Sequence, residues 1–229
     1  MIRLFHVSKI YNKRVKALDN ISLHIKKGEF VFLVGPAGAG KTTMLKLLYR
    51  DISPTEGQIL IDGRNIESLK NNRIPQLRRS MGLIFQDFKL LDHKTVFENV
   101  ALSLQILGLP DSVVSRQTEK AVNQVGLANK RDHFPDQLSG GEKQKACFAR
   151  AIVNDPPLII TDEPTGNLDP EASWDIMKLL LEYNMRGSTV IVATHASHLV
   201  DRIRKRVVAL IDGKVVKDES KGVYSYEGL

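Results

Sequence analysis

The stretch EFVFLVGPAGAGKTTMLKLLYR, residues 29–50, contains an apolar run, a glycine-rich segment and a second apolar pattern, in that order. The first run is continuous, as in a buried strand, and the apolar spacing of the last part is typical of a helix. The glycine-rich segment matches the pattern G-x-x-x-x-G-K-[ST] through Gly35, Gly40, Lys41 and Thr42. Between a strand and a helix, this pattern predicts a loop that binds phosphate groups through its backbone amides.

The glycine-rich segment supplies the groups that a nucleoside triphosphate needs. Glycines let backbone amides approach phosphate closely, and the helix N-terminus adds positive potential. We expect Lys41 to reach the β- and γ-phosphates and the Thr42 hydroxyl to bind Mg²⁺. The predicted nucleotide-binding residues of this loop are Gly35, Pro36, Ala37, Gly38, Ala39, Gly40, Lys41, Thr42 and Thr43. The alternative, a glycine-rich turn with a surface lysine, is disfavoured by the flanking strand and helix.

A second apolar run, LIITDEP at residues 158–164, ends in two adjacent carboxylates. Open α/β sheets bind ligands at the carboxyl ends of their strands, so Asp162 and Glu163 are expected beside the phosphate-binding loop. We predict that Asp162 holds Mg²⁺ through water and that Glu163 orients and deprotonates an attacking water molecule. Taken alone, the two residues could equally cap the turn that follows. The phosphate-binding loop upstream favours the catalytic interpretation.

The remaining patterns predict an α/β chain. Strand patterns cover residues 3–11, 21–28, 57–63, 157–163, 188–195 and 206–216. Helical spacing covers residues 96–107, 111–127 and 170–184. A strand, a helix and a strand in succession imply a parallel sheet with right-handed crossovers. The helical patterns between about residues 92 and 150 are interpreted as an inserted part.

Composition places the chain among globular proteins. It has 229 residues, of which 42% are hydrophobic, enough to bury a sizeable core. Its apolar runs are shorter than the ~20 residues that span a bilayer. The first residues lack the pattern of an export signal, so we expect a soluble, cytoplasmic protein. Cys147 is the only cysteine, which excludes an internal disulfide and favours a small buried side chain in a helix.

The formal net charge of +7 suits nucleic acid, ATP or an anionic membrane surface as a partner, and composition does not choose among them. Basic clusters occur at residues 13–16, 78–79 and 202–206. They lack the interleaved aromatic residues of a base-stacking surface. We interpret them first as solvated surface charge and second as a weakly membrane-facing surface.

The segment LSGGE, residues 138–142, resembles the signature loop of the ATP-binding cassette (ABC) superfamily, and it lies between the phosphate-binding loop and the Asp-Glu strand as in that family. The resemblance covers essentially the whole chain. It implies that Tyr11 stacks on adenine, that Gln86 senses Mg²⁺ and the attacking water, and that His195 contacts the γ-phosphate. Residues 166–169, GNLD, resemble the D-loop of the family. The implied catalytic residues are Glu163, His195 and Gln86, and the implied metal-binding residues are Thr42, Gln86 and Asp162.

The resemblance also implies a domain organisation. Residues 1–229 are expected to form one ABC nucleotide-binding domain of the P-loop NTPase (RecA-like) class. Residues 1–90 and 151–229 are expected to form the ATPase core, with a mostly parallel sheet and an N-terminal antiparallel β part. Residues 91–150 are expected to form an inserted α-helical subdomain that ends in the signature motif.

ABC proteins associate head to tail, so the resemblance implies a second copy of this chain as a partner. The signature loop of one copy then covers the γ-phosphate of ATP on the other, through Ser139, Gly140 and Gly141 at the start of a helix. ATP and Mg²⁺ are the implied cofactors. Locally, Ser139 and Glu142 also predict a helix N-cap with a capping box. Both interpretations use the same exposed amides.

Three positions depart from the usual pattern of the family. Ala37 stands where many members have serine, Thr161 replaces an apolar residue before Asp162, and EKQK at residues 142–145 replaces EQQR. None of these changes the residues implied in catalysis. We therefore expect ATP hydrolysis to be retained, with altered surface contacts near the signature loop.

Residues 162–169, DEPTGNLD, resemble the ABC branch that contains lipoprotein-release, macrolide-efflux and bacterial cell-division ATPases. Residues 6–11 and 84–104 are most similar to the cell-division members. This implies a separate integral membrane subunit as a partner and transmission of ATP-driven motion to cell-wall hydrolases. The alternatives are a lipoprotein-release or macrolide-efflux ATPase, a soluble ABC protein acting on nucleic acid or ribosomes, and a nucleotide-binding scaffold without turnover.

Overall fold

The computed structural model describes residues 1–12 and 14–225; Lys13, in the first basic cluster, lies outside these residues. The strands are β1 (Ile2–Tyr11), β2 (Val15–Ile25), β3 (Phe30–Val34), β4 (Glu56–Ile61), β5 (Arg64–Asn65), β6 (Met81–Ile84), β7 (Leu158–Asp162), β8 (Thr189–Ala193), β9 (Arg206–Ile211) and β10 (Lys214–Glu219). The α-helices are α1 (Lys41–Leu48), α2 (Ile74–Arg79), α3 (Val96–Gln105), α4 (Asp111–Gln124), α5 (Gly140–Ile152), α6 (Pro170–Met185) and α7 (Ser197–Ile203). Within the described part of the chain, no helix combines the length and apolarity needed to cross a bilayer.

The larger sheet has six strands in the order β10-β9-β3-β8-β7-β6. Its strands pair in parallel except for β10, which pairs antiparallel with β9 at one edge. Every residue of β3 and β8 is buried, which explains their continuous apolar runs. Because β3 and β7 run in the same direction, the loops that follow them lie at the same edge of the sheet. The predicted α/β class with a mostly parallel sheet is confirmed.

The smaller sheet is antiparallel throughout, in the order β2-β1-β4-β5. Its buried apolar residues, such as Ile2 and Leu4, share one hydrophobic cluster with Leu45 and Leu48 of α1. Buried and exposed residues alternate over the first four residues of β1, as expected for a strand with one face on the core. The N-terminal antiparallel part therefore packs on the α1 side of the larger sheet.

Helices α3, α4 and α5 pack against one another on the opposite side. Their apolar residues, including Val100, Leu104 and Phe148, join the cluster formed by the other face of the larger sheet. Helix α5 also packs against β6 and α6, so it contacts both the helical part and the sheet. Cys147 is buried within α5, as predicted.

Strand β6 was not predicted, because four residues are too few to show a period. It contains Gly82, where a Cβ would lie 2.8 Å from the Ala151 carbonyl oxygen at the end of α5. Glycine here lets α5 approach the edge of the sheet. The formation of this strand therefore depends on its packing against α5 and its pairing with β7, two contacts that the local sequence does not predict.

The strand pattern at residues 206–216 is a hairpin, β9 and β10, and not one strand. The chain turns at Asp212 and Gly213, both with positive φ (46° and 75°). The Gly213 N–H donates to the Ala39 carbonyl at 3.2 Å, and the Gly213 carbonyl accepts from the Asp19 N–H at 2.8 Å. This turn therefore joins the glycine-rich loop to the smaller sheet.

Candidate functional site

The glycine-rich loop follows β3 and is so tightly surrounded that two of its glycines have no room for a side chain. At Gly35 (φ 142°) a Cβ would lie 2.1 Å from the Leu210 carbonyl oxygen. At Gly40 (φ 104°) a Cβ would lie 2.5 Å from the Ala17 carbonyl oxygen. Only glycine satisfies both the backbone angle and the contact at these positions. The loop can therefore keep its backbone close to a ligand.

Helix α1 begins at this loop without a side-chain cap. Its N-cap is Gly40, in the left-handed conformation, and its first turn has no acidic residue. The helix dipole and the first-turn amides therefore present positive potential to the loop. Lys41 Nζ donates to the carbonyls of Gly35 at 2.7 Å and Pro36 at 3.0 Å. The ammonium group is thus held inside the loop, among donors suited to phosphate.

Thr42 and Asp162 line the same pocket at the edge of the larger sheet, close enough for the Thr42 side chain to lower the pKa of the carboxyl group by hydrogen bonding. Burial raises the pKa of Asp162, whereas the Thr42 hydrogen bond and the charge of Lys41 oppose the rise. A bound cation would stabilise the ionised form of such a buried carboxylate. Hydroxyl and carboxylate oxygens are the ligands that Mg²⁺ prefers in proteins. The donor set therefore fits Mg²⁺.

Glu163 follows β7 directly and has a left-handed backbone, with φ 47°. Its N–H donates to the Ala193 carbonyl at 2.9 Å, which fixes it to the end of β8. Its carboxylate accepts from the backbone N–H of His195 at 3.3 Å and lies 2.9 Å from His195 Nδ1. The Glu163 side chain is 11% exposed and that of His195 is 66% exposed. The candidate base is thus sheltered and oriented, while the histidine ring is open to the site.

A pocket of about 340 Å³ gathers most of the predicted site residues. It is lined by Ala37, Gly38, Ala39, Gly40, Lys41, Thr42, Thr43, Gln86, Asp162, Glu163 and His195. Gly35 and Pro36 do not line the pocket but accept hydrogen bonds from Lys41. Tyr11 does not line it either; it ends β1, with Lys9 Nζ 5.3 Å from its ring centroid. The adenine contact of Tyr11 stays a prediction.

The signature residues lie in a different place. Ser139, Gly140 and Gly141 line a separate pocket of about 300 Å³ together with residues 167–169 of the D-loop. Ser139 Oγ accepts from the Glu142 N–H at 3.3 Å, and Glu142 Oε2 accepts from the Ser139 N–H at 2.8 Å, which forms the predicted capping box. The hydrogen bond from the Ser139 backbone lowers the pKa of Glu142. Within one chain, the signature loop therefore contacts the D-loop and not the phosphate-binding loop.

The family model of ABC transporters matches residues 18–166, which is more than half of the chain. The chain belongs to the ABC transporter family. The cassette is 51% identical over 228 residues to the cell division ATP-binding protein FtsE of Bacillus subtilis (strain 168), covering 99% of this chain and 100% of that protein. It is 46% identical over 213 residues to the protein of the same name from Escherichia coli (strain K12), covering 93% and 96% of the two chains.

Solved structures of ABC cassettes share the fold. The dimeric bacterial ABC transporter cassette MJ0796 matches with a TM-score of 0.90 and 36% identity, covering 98% of this chain and 100% of that chain. A dimer of MJ0796 in a post-hydrolysis state, bound to ADP and Pi, matches with a TM-score of 0.89 and 35% identity at the same coverage. This cassette is therefore an ABC ATPase that binds and hydrolyses nucleotide.

The departures of this cassette from the family pattern have different surroundings. Ala37 lines the pocket at the phosphate-binding loop. Thr161 is fully buried in β7, and its Oγ1 has no hydrogen-bond partner among the described residues. Relative to an apolar residue, such an unpaired hydroxyl costs about 1–3 kcal/mol of stability. Lys145 Nζ lies 3.0 Å from Asp175 Oδ2 and so links α5 to α6. Nothing in the structure explains Lys143.

Two contacts to the loop that follows Gln86, one from the buried Asn99 and one from the partly buried Arg150, were not predicted from the sequence. Arg150 donates to the backbone carbonyls of residues 88–89. Asn99 exchanges hydrogen bonds with the backbone of residues 91–95. Helical spacing could have placed both side chains on the inner faces of α5 and α3. It gives no signal for their acceptors, which lie in an irregular segment.

Proposed function

We propose that this cassette is the ATP-hydrolysing subunit of a bacterial cell-division complex of the FtsE–FtsX type. The observation that supports it most strongly is the full-length similarity to proteins named cell division ATP-binding protein FtsE. Identity is 51% to the Bacillus subtilis protein, 45% to that of Streptococcus pneumoniae and 46% to that of Mycobacterium tuberculosis, each covering 99% of this chain. In this proposal an FtsX-like integral membrane subunit holds the cytoplasmic cassette at the inner face of the cell membrane.

ATP binding is assigned to the phosphate-binding loop and the N-terminus of α1. The backbone amides of the loop donate hydrogen bonds to the phosphate chain, and Lys41 exchanges its bonds to the Gly35 and Pro36 carbonyls for bonds to the β- and γ-phosphates. Thr42 and Asp162 would hold Mg²⁺, with Gln86 beside them. When bound, Mg²⁺ neutralises charge that develops on the phosphate oxygens.

Hydrolysis is assigned to the carboxylate that follows Asp162. Glu163 orients the attacking water and accepts its proton, and His195 contacts the γ-phosphate. The hydrogen bonds of Glu163 support this role, because the bond from its N–H to Ala193 fixes its backbone and the bond from the His195 N–H orients its carboxylate before substrate enters. Gln86 lines the same pocket and would position the water and Mg²⁺.

The shared site of a head-to-tail dimer is part of the proposal. Ser139, Gly140 and Gly141 line a pocket that contains none of the phosphate-binding loop, so they are available to a second copy. A cassette with the same fold forms a dimer, which supports a second copy of this chain as the partner. In the dimer, Lys41 and the signature loop of one chain would serve two different ATP molecules.

The membrane subunit is proposed to bind in a groove of about 610 Å³ beside the ATP pocket. Aromatic, basic and acidic side chains line it, among them Tyr49, Asp51, Arg78 and Phe85. Tyr49 and Phe85 pack edge to face, with ring centroids 5.9 Å apart. Such a groove suits the apolar face of a short cytoplasmic helix with charged flanks. Because Gln86 lines both groove and pocket, this contact would connect the partner to hydrolysis.

Affinity purification of the tagged cassette from detergent-solubilised membranes tests the proposal. We expect one integral membrane protein of the FtsX type to co-purify, and depletion of the cassette to block cell division. The variant Asp51→Lys reverses a charge at the groove and should release that protein, whereas Asp132→Lys, an 80% exposed aspartate outside the groove, should retain it. Co-purification of a lipoprotein-release or macrolide-efflux permease instead would contradict the cell-division assignment. Salt-resistant binding of the pure cassette to protein-free liposomes would contradict attachment through a partner.

A further inference from the structure

The loop after Gln86 has an unusual backbone. Phe88 and Lys89 are consecutive and both left-handed, with φ 59° and 54°. Residues with side chains rarely adopt this conformation, and two in succession persist only when surrounding contacts hold them. The position of Gln86, two residues earlier, therefore depends on whatever fixes this loop.

Side chains of α5 fix it. The Arg150 guanidinium donates to two successive backbone carbonyls, those of Phe88 at 2.9 Å and of Lys89. The Cys147 thiol donates to the same Phe88 carbonyl at 2.9 Å. Cys147 is one turn before Arg150 and faces the same side of the helix. The planar guanidinium fork suits two neighbouring carbonyls, which a single ammonium group would not satisfy equally.

The same helix begins at the signature loop. Ser139 caps α5 and Gly140 is its first residue, while Arg150 lies in its last turn. A helix of this length moves as a rigid unit, so a shift of the signature loop moves the donors that hold residues 88–89. The signature loop and the loop of Gln86 are thus mechanically joined within one chain.

We propose that Arg150 is a positioning residue for Gln86, and that α5 thereby links the two ATP sites of the dimer. The link between sites rests on the proposed head-to-tail function, in which the signature loop contacts the partner's ATP and Gln86 serves the ATP of its own chain. Arg150 touches neither nucleotide. It acts through the backbone of residues 88–89, and Cys147 assists it.

Kinetics of the full-length chain test this role. Arg150→Met should lower kcat about 10- to 100-fold through misplacement of Gln86. The dissociation constant for ATP should stay within about twofold, since the phosphate-binding loop is unchanged. Arg150→Lys should recover part of the rate. The matched control is Arg131→Met, which removes an arginine that pairs with Glu119 and stacks on Phe97 in the helical part without contacting the loop of Gln86; it should leave kcat near wild type.

A double mutant separates positioning from general damage. If Arg150 acts through Gln86, the rate of Arg150→Met combined with Gln86→Ala should equal that of Gln86→Ala alone. Multiplied losses would overturn the proposal. The link between sites predicts, in addition, that Arg150→Met reduces the Hill coefficient for ATP toward one. An unchanged Hill coefficient would contradict the link between the two ATP sites. The double mutant would still test whether Arg150 positions Gln86.

Amide hydrogen exchange tests the clamp without turnover. In Arg150→Met, and to a smaller extent in Cys147→Val, amides of residues 88–91 should exchange faster while those of residues 35–43 keep their wild-type rates. Unchanged exchange at residues 88–91 would overturn the clamp even if hydrolysis is normal. Absence of hydrolysis in the wild-type chain would count against the proposed function. The exchange experiment would still show whether Arg150 holds the loop of Gln86 in place. If Arg150→Met does not fold, Arg150→Lys and Cys147→Val give the same comparison.

Discussion

Two helices of this cassette begin at glycine-rich motifs, α1 and α5, and their first turns are built in opposite ways. Helix α1 has a left-handed glycine as N-cap, no side-chain cap and no acid in its first turn. Helix α5 has Ser139 as N-cap and Glu142 in a reciprocal capping box. The amides of α1 therefore remain available to an anion, whereas one amide donor of α5 is already satisfied by Ser139 and its first turn carries a negative charge.

The difference indicates two different tasks. The first turn of α1, with Lys41 held inside the loop, is a phosphate cradle that a single chain completes. The first turn of α5 is stable without any ligand and carries a weaker attraction for anions. A signature loop of this kind would contact phosphate only after a second chain has already captured the nucleotide. Binding and closure are thus assigned to separate helices, and each can be impaired without the other.

The largest expected effect concerns the catalytic side of the pocket at α1. Glu163→Gln should lower the rate of hydrolysis about 10²–10⁴-fold, because it removes the base while leaving the phosphate-binding loop whole. MgATP should still bind, and the dimer should persist in its presence. Phosphate release and size-exclusion chromatography with ATP measure both properties. Glu182→Gln, a glutamate on α6 that lines neither the pocket at α1 nor the pocket of the signature loop, is the matched control and should hydrolyse normally. Near-normal turnover by Glu163→Gln would refute the assigned base.

The second prediction separates the two first turns by damaging each one alone. Lys41→Ala should weaken ATP binding by about 2–5 kcal/mol, since it removes the positive charge expected to contact the phosphates. Ser139→Arg should leave nucleotide binding to its own chain intact and block closure by bulk. Both homodimers should be inactive. Equilibrium binding of a fluorescent ATP analogue distinguishes the two defects.

Mixing these two chains shows whether the sites are shared. In a head-to-tail dimer, one site collects both defects and the other is wholly intact. Isolated mixed dimers should therefore keep ATP label on the Ser139→Arg chain after free nucleotide is removed, which homodimers that cannot close should not do. If each chain closed its own site, every site would carry a defect. Phosphate release provides the second signal, although turnover can require two occupied sites. If neither labelling nor closure recovers, the shared site is contradicted, and LSGGE serves only as a helix cap.

The smallest expected effect concerns the cap of α5. Ser139→Ala should reduce the free energy of unfolding by about 0.5–2 kcal/mol through loss of the N-cap. Thr95→Ala is the matched control, because Thr95 and Glu98 form the same capping box on α3, at a motif with no assigned ligand. Both variants should lose similar stability in urea denaturation. Only Ser139→Ala should also weaken ATP-dependent dimerisation, and equal dimerisation of the two variants would contradict a ligand role for Ser139.

The capping box of Ser139 and Glu142 also makes the free energy of unfolding depend on pH. The pKa of Glu142 is lowered in the folded chain, chiefly by the hydrogen bond from the Ser139 backbone. The stability that this carboxylate contributes is therefore fully present above the pKa of an unfolded glutamate, and it is lost as pH falls through the lowered folded value. Glu142→Gln should therefore reduce the free energy of unfolding near neutral pH, and its difference from wild type in urea denaturation should shrink as pH falls through the folded pKa of Glu142.

Sequence patterns predicted the parts of this cassette that have local causes. The buried strands β3 and β7, the glycines at Gly35 and Gly40 and the cap at Ser139 all follow from period, backbone angle or capping chemistry. The roles given to individual site residues, and the boundaries at residues 91 and 150, remain predictions.

What sequence patterns did not predict depends on contacts between distant segments. Strand β6 is too short to show a period, and the turn at Asp212 and Gly213 lies inside an apparently continuous strand pattern. The hydrogen bonds of Arg150 end on backbone carbonyls, which have no sequence signature. Tyr11 was placed by resemblance alone, and the pocket lining does not include it.

The hairpin of β9 and β10 has a consequence for how the protein is made. A nascent chain leaves the ribosome with residues 35–43 long before residues 206–219 have been translated. Gly35 packs against the Leu210 carbonyl, β9 pairs with β3, and Gly213 bonds Ala39, so the phosphate-binding loop lacks one wall until the hairpin emerges. We therefore expect nucleotide capture to require a chain translated at least through residue 213, and a cassette truncated before the hairpin to compete poorly for ATP.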